Sequence, residues 1–176
     1  LIPRPNPIPI IGPINGDISM APIMTAVEFV FSPNDAIKMA KINIIYGEKG
    51  SGKTKKMVDS ANRSVAEAKG VVVYIDKDNS RIHDLEHTIK LIDASEYKVN
   101  SEETFIAFLK GVLAGNYDIE KVFVDSMSRI VGKDIKDLGN IMTELEMLSN
   151  VFMVEFTLSV SCAGENLPVF ISKFAE

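Results

Sequence analysis

The chain has one cysteine, Cys162, in 176 residues. A single cysteine excludes an intrachain disulfide and any multi-cysteine metal site. The histidines, His83 and His87, lie far from it, so no structural zinc site is expected. No apolar run reaches the roughly 18 residues that a membrane span needs. Arginine is scarce, with Arg4, Arg63, Arg81 and Arg129 only. Basic residues (19) fall short of acidic ones (24), for a net charge of -5. A generally basic nucleic-acid binder is therefore not indicated. Hydrophobic residues make up 46% and charged residues 24%, which excludes a wholly disordered or fibrous chain and suits one ordinary folded domain.

Proline is nearly absent after residue 38, where Pro168 is the exception; the other seven lie in residues 1–38. This opening segment favours extended or polyproline II backbone, because proline fixes φ and lacks a donor. It reads as a tail, as an arm whose Ala26–Phe31 could pair at a sheet edge, or as a segment foreign to the natural domain. The basic part is only Arg4 and prolines interrupt the apolar run, so it is not a secretory signal. A cytoplasmic protein is the resulting expectation. The compact domain is expected over residues 39–176.

From residue 41 strands and helices alternate. Ile42–Tyr46 reads as a strand, Lys53–Lys69 as an amphipathic helix, and Val71–Asp76 as a second strand. A short polar helix is expected over 79–88 and a short strand over Ile89–Ser95. A helix begins at Ser101 and stops at Gly115–Asn116. Lys121–Asp125 is a strand, Asp134–Asn150 a helix, Phe152–Ser161 a long strand and Leu167–Ala175 a closing helix. Strands joined through helices imply parallel pairing. Strands apolar throughout imply helices on both sheet faces. The predicted fold class is α/β, three layers, with a mainly parallel sheet. Met142, Met147 and Met153 are expected to fill the core.

The strongest signal is residues 47–54, GEKGSGKT, which fit G-x-x-x-x-G-K-[ST]. Gly47, Gly50 and Gly52 let the backbone turn its N–H groups inward. With the positive end of the following helix they make an anion site. Lys53 would place an ammonium on the β- and γ-phosphates. Thr54 would offer Mg²⁺ a hydroxyl oxygen. The nucleotide-binding stretch is Gly47, Glu48, Lys49, Gly50, Ser51, Gly52, Lys53, Thr54 and Lys55.

GEKGSGKT resembles the Walker A motif of P-loop NTPases, and KVFVDS, ending in Asp125 and Ser126, resembles their Walker B motif. Val124-Asp125-Ser126 is similar to the V-D-S triplet of the RecA-like branch. The resemblance spans roughly residues 41–162. It also extends to small uncharacterised bacterial ATP-binding proteins. It implies a minimal RecA-like core, ATP as substrate or ligand, and Mg²⁺ held by Thr54 and Asp125. The branch commonly ends its second strand in I-D-x-E, whose Glu activates the attacking water. Here the run is Ile75-Asp76-Lys77-Asp78, so the resemblance assigns catalysis to Lys53 and to Asp78, one methylene short of glutamate. Relatives sense the γ-phosphate from the strand after Walker B, which points first to Ser161, then to Ser159 and Thr157.

The implied function is that of an ATPase. The alternatives are a non-hydrolysing nucleotide-dependent switch or partner protein, acting through a homo-oligomer or another chain, and a small-molecule kinase. Residues 126–150 lack the arginine cluster of a kinase lid. The absence of N-K-x-D favours adenine over guanine. The pair His83 and His87 lacks a third ligand and reads as a solvated face.

Overall fold

The structure is a computed structural model that describes residues 41–78, 80–163 and 167–175. The readings made of residues 1–38, and of Met39 as the domain start, lie outside the described residues. Five strands form one parallel sheet: β1 (Ile42–Gly47), β2 (Val71–Asp76), β3 (Lys90–Asp93), β4 (Ile119–Val124) and β5 (Glu155–Ser161). Their order across the sheet is β1-β5-β4-β2-β3. The last strand therefore inserts between the first and the fourth, pairing Ile42–Gly47 on one side and Lys121–Val124 on the other. The helices are α1 (Lys53–Val65), α2 (Glu102–Gly115), α3 (Met127–Val131), α4 (Gly139–Phe152) and α5 (Val169–Ser172).

The apolar strands are buried from both sides, as a helix-covered parallel sheet requires. One face packs Ile44, Val73, Ile75, Val124 and Leu158 against α2, α3 and α4. The other packs Val72, Tyr74 and Phe123 against Met57, Val58 and Ala61 of α1. Strand side chains alternate, so each strand sends every second residue toward α1. The α/β class with a parallel sheet and helices on both faces is as expected from the sequence.

Local boundaries differ where chemistry overrides pattern. α2 begins where Ser101 and Thr104 cap each other reciprocally. α1 ends at Val65, short of Lys69. No helix forms over 80–88; the segment is a series of turns held to α1 by one side chain. Asn62 Nδ2 donates to Asp84 O at 2.9 Å, and Asn62 Oδ1 accepts from Glu86 N at 2.8 Å. The expected helix over 134–150 is a 3₁₀ turn at Ile135–Asp137 followed by α4, with buried Leu138 (φ -86°, ψ 5°) as the junction between them. α4 continues to Phe152 and stops at Met153, φ 59°, so the last strand starts at Glu155. The short helix α3 had no expectation at all. Of the three methionines, Met142 is buried, whereas Met147 and Met153 are 45% and 55% exposed and lie outside the core. Helix α4 presents Met147 outward, and Met153 caps its end.

Among the described residues no helix is long and apolar enough to cross a membrane.

Candidate functional site

Strand β1 delivers the chain to a loop at the carboxyl edge of the sheet. Gly47, Gly50 and Gly52 have φ of 154°, 88° and 82°. At Gly47 the positive φ favours glycine, and a Cβ there would make the Ser51 hydroxyl turn aside. Gly52 is the left-handed N-cap of α1, and no side chain caps this end. The leading N–H groups of α1 thus have no intrahelical acceptor, and they carry the positive end of the helix dipole. Residues 48–52 are exposed and Thr54 is half-buried.

Lys53 is only 9% exposed. Its Nζ donates to Gly47 O at 2.9 Å and to Glu48 O at 2.7 Å, curling the ammonium into the loop. Burial holds its pKa below the ordinary lysine value, opposed by the nearby negative charge of Asp125.

Asp125 follows β4 directly and is 2% exposed. The Ser159 hydroxyl donates to its Oδ1, and Tyr74 OH makes a long 3.4 Å contact with its Oδ2. Ser159 Oγ also accepts from Ser126 N at 2.7 Å. One hydroxyl on β5 thereby fixes both the carboxylate and the left-handed turn at Ser126, φ 55°, that opens α3. Burial, then Asp125 and Asp76, push the Tyr74 pKa up, which keeps its phenol a donor. Tyr74 and Phe123 face α1 on adjacent strands, and the two-residue period carries Asp76 and Asp125 onto that same face.

The other expected polar residues separate. Ser161 is exposed at the tip of β5, in register with Gly47. Thr157 is 7% exposed, deeper in the sheet beside Phe123. Asp78 is exposed: its Oδ1 accepts Ser80 N at 3.0 Å, and hydrogen bonds to Ser80 hold its pKa below the usual carboxylate value. Asp76, two residues earlier, is 6% exposed. Its Oδ1 accepts Lys77 N at 2.6 Å. Burial raises its pKa to about 6, with Asp125 and Asp78 adding to the rise and the Lys77 amide and Arg81 opposing it. The sequence signal for Asp76 was available in the strand period, which puts it on the α1 face with Tyr74.

Arg81 adds charge to this edge. Its Nη1 lies 3.5 Å from Asp84 Oδ2, and its Nε is buried without a hydrogen-bond partner. With Thr54, Lys55, Asp59, Asn62 and Asp84 it lines an open cleft of about 540 Å³ beside the start of α1. Arg63 and Arg129 are exposed. A second cleft, about 510 Å³, opens at the opposite, amino edge of the sheet around Lys41, Tyr117, Ile119 and Phe152.

The oxygen donors Thr54 and Asp125 have the hard-ligand chemistry that suits Mg²⁺, which takes one or two protein oxygens and completes its shell with phosphate and water. Among the described residues no group of three or more His, Cys, Asp or Glu is arranged to hold a metal by itself. His83 and His87 are exposed on turns. Compared with models of known protein families and with characterised proteins, the chain matches none.

Proposed function

We propose that this chain binds Mg-ATP on the loop Gly47–Lys55 and hydrolyses the γ-phosphate bond, as a minimal RecA-like P-loop protein. One juxtaposition carries the reading. A G-x-x-x-x-G-K-[ST] loop joins a parallel strand to an uncapped helix N-terminus, and β4 ends in the buried Asp125 just across β5, on the face toward α1. Anion-binding amides, an ammonium and a carboxylate thus share one edge of the sheet.

In this reading the amides of the loop and of the first turn of α1 bind the phosphate oxygens. Lys53 exchanges its two loop carbonyls for the β- and γ-phosphates. Thr54 and Asp125 hold Mg²⁺, with Ser159 and Tyr74 fixing the carboxylate's orientation. An ion held there would supply positive charge against the phosphate oxygens. A cytoplasmic protein, working alone, as a homo-oligomer or with a protein partner, belongs to the same proposal.

A second reading has one observation behind it. Asp78, the position of the usual water-activating carboxylate, is turned toward Ser80 in solvent. A protein without that carboxylate would bind ATP and use it as a conformational switch.

The test is phosphate release from Mg-ATP by the purified chain, beside Lys53→Ala, with binding of a fluorescent ATP analogue measured in parallel. Turnover and binding that disappear in the variant support the ATPase. Lysine-dependent binding without turnover supports the switch. Absence of both overturns the nucleotide reading.

A further inference from the structure

We infer that Asp76, rather than Asp78, is the carboxylate that accepts the proton of the attacking water. The inference rests on the ATPase reading above and assigns a residue within it.

The geometry starts from the pairing of β2 with β4. Ile75 is in register with Val124, and Asp125 N donates to Ile75 O at 2.9 Å. The next residue on each chain is an aspartate: Asp76 is the last residue of β2, and Asp125 follows directly after the adjacent β4. Both face α1, because Tyr74 and Phe123, two residues before them, pack there. Both are almost fully buried, at 6% and 2% exposed. Asp78 lies beyond the strand end, among turns, exposed, with one of its two carboxylate oxygens accepting from Ser80 N. Asp125 acts electrostatically on Asp76 and on Lys53, so the three share one field.

The charged and titratable groups around Asp76 come from each neighbouring element. Asp125 and Tyr74 belong to the sheet, Asp93 pairs with Asp76 in register on β3, and Lys77, Asp78 and Arg81 follow on the loop. Asp93 is engaged elsewhere, since its Oδ1 accepts both Ser95 N and Ser95 Oγ. Asp76 Oδ1 accepts the Lys77 amide, which anchors the carboxyl group at the strand end. A buried carboxylate at the carboxyl edge of the sheet, on the face toward α1 that Asp125 also occupies, is placed to act as a general base.

The reaction step balances without any further reagent. A lone pair of the water oxygen forms a bond to the γ-phosphorus. The bond from that phosphorus to the β,γ-bridging oxygen breaks, and its electron pair leaves with ADP. The water proton passes to Asp76 and from there to the phosphate product or to solvent.

The experiment compares Asp76→Asn and Asp78→Asn with the full chain, following phosphate release from Mg-ATP and binding of the fluorescent analogue. Asp76→Asn is expected to lower kcat by about 100-fold or more, in the range of a lost general base, with analogue affinity within about threefold. Asp78→Asn is expected to keep at least a third of the rate. Asp76→Glu, which keeps the charge and moves it, guards against a folding defect: it is expected to retain a native melting transition and lose at least tenfold in kcat. A fast Asp76→Asn with a dead Asp78→Asn overturns the inference and leaves the ATPase reading standing. An equal loss of analogue binding and rate in Asp76→Asn assigns it a binding role and overturns the base. Wild-type binding without turnover also overturns it, and absence of lysine-dependent binding removes the nucleotide reading itself.

Discussion

Ser159 joins two functions in one hydroxyl: it donates to Asp125 and accepts the amide of Ser126. Alanine there leaves the half-buried Ser126 amide and the buried Asp125 carboxylate short of a partner. A stability loss of about 1–3 kcal/mol is expected, read from the shift in urea midpoint, together with weaker Mg²⁺-dependent binding of the analogue. Asp76 has the opposite sign. Its pKa rises from 3.8 unfolded to about 6 folded. Below pH 3.8 both states hold the proton. Between that value and about 6 the unfolded chain ionises first, so stability falls as pH rises, and the penalty is complete above 6. A shift of about two units corresponds to roughly 3 kcal/mol at most. Asp76→Asn is therefore expected to be more stable than wild type at pH 7 and to lose part of the pH slope between 4 and 6. Thermal melts across that range would show it, and a flat difference between the two proteins would refute it. Buried charge of this kind is unfavourable for folding alone, which is why it points to function.

At the scale of elements, the loop between β2 and β3 depends on α1. Asn62 bonds both Asp84 O and Glu86 N, taking the place of the helical hydrogen bonds that the polar sequence over 80–88 does not form. Asn62→Ala should release the segment, with amide exchange rising tenfold or more over 80–88 while the strands keep their protection. The connection from α1 into β2 is constrained sterically. A Cβ at Gly70 would lie 2.1 Å from Asp118 O, and Val71 N bonds that same carbonyl at 2.7 Å. Gly70→Ala must displace backbone, costing about 1–3 kcal/mol. The melting temperature of that variant should fall by several degrees. At the start of α2, Glu102 accepts from Lys133 and Asn140, tying that helix to the turn after α3 and to the first turn of α4. These bonds hold its pKa below the usual carboxylate range.

For the whole molecule, two cores share one sheet, and the proposed site lies along the sheet's carboxyl edge, close to α1. A ligand bound across the loop and Asp125 would contact β1, α1 and β4 together. Mg-ATP at 100 times its dissociation constant should add about 2.7 kcal/mol to the stability of the folded state. A rise of several degrees in melting temperature follows, and it should vanish with a chelator of Mg²⁺ and in Lys53→Ala. An equal rise in the variant would place the nucleotide elsewhere. The C-terminal turn also touches the sheet, with Ile44 N donating to Phe174 O at 2.9 Å on the outer side of β1.

The α/β class and the loop Gly47–Thr54 were legible in the chain because both rest on local rules. Apolar strands, helical periods and a glycine pattern each occupy a few consecutive residues. Val71–Asp76 and the stop at Gly115–Asn116 needed nothing more. The short helix α3 was not legible, because five residues span too few turns to show a period. The polar segment 80–88 has a helix-like composition but forms turns, because Asn62, some twenty residues away, bonds its Asp84 O and Glu86 N. Tertiary structure alone decided that β5 inserts between β1 and β4, which brings Ser159 onto Asp125. It also turned Asp78 into solvent and left Asp76 buried beside Asp125. Strand order and side-chain facing depend on contacts between residues far apart in the chain, and no local pattern encodes them.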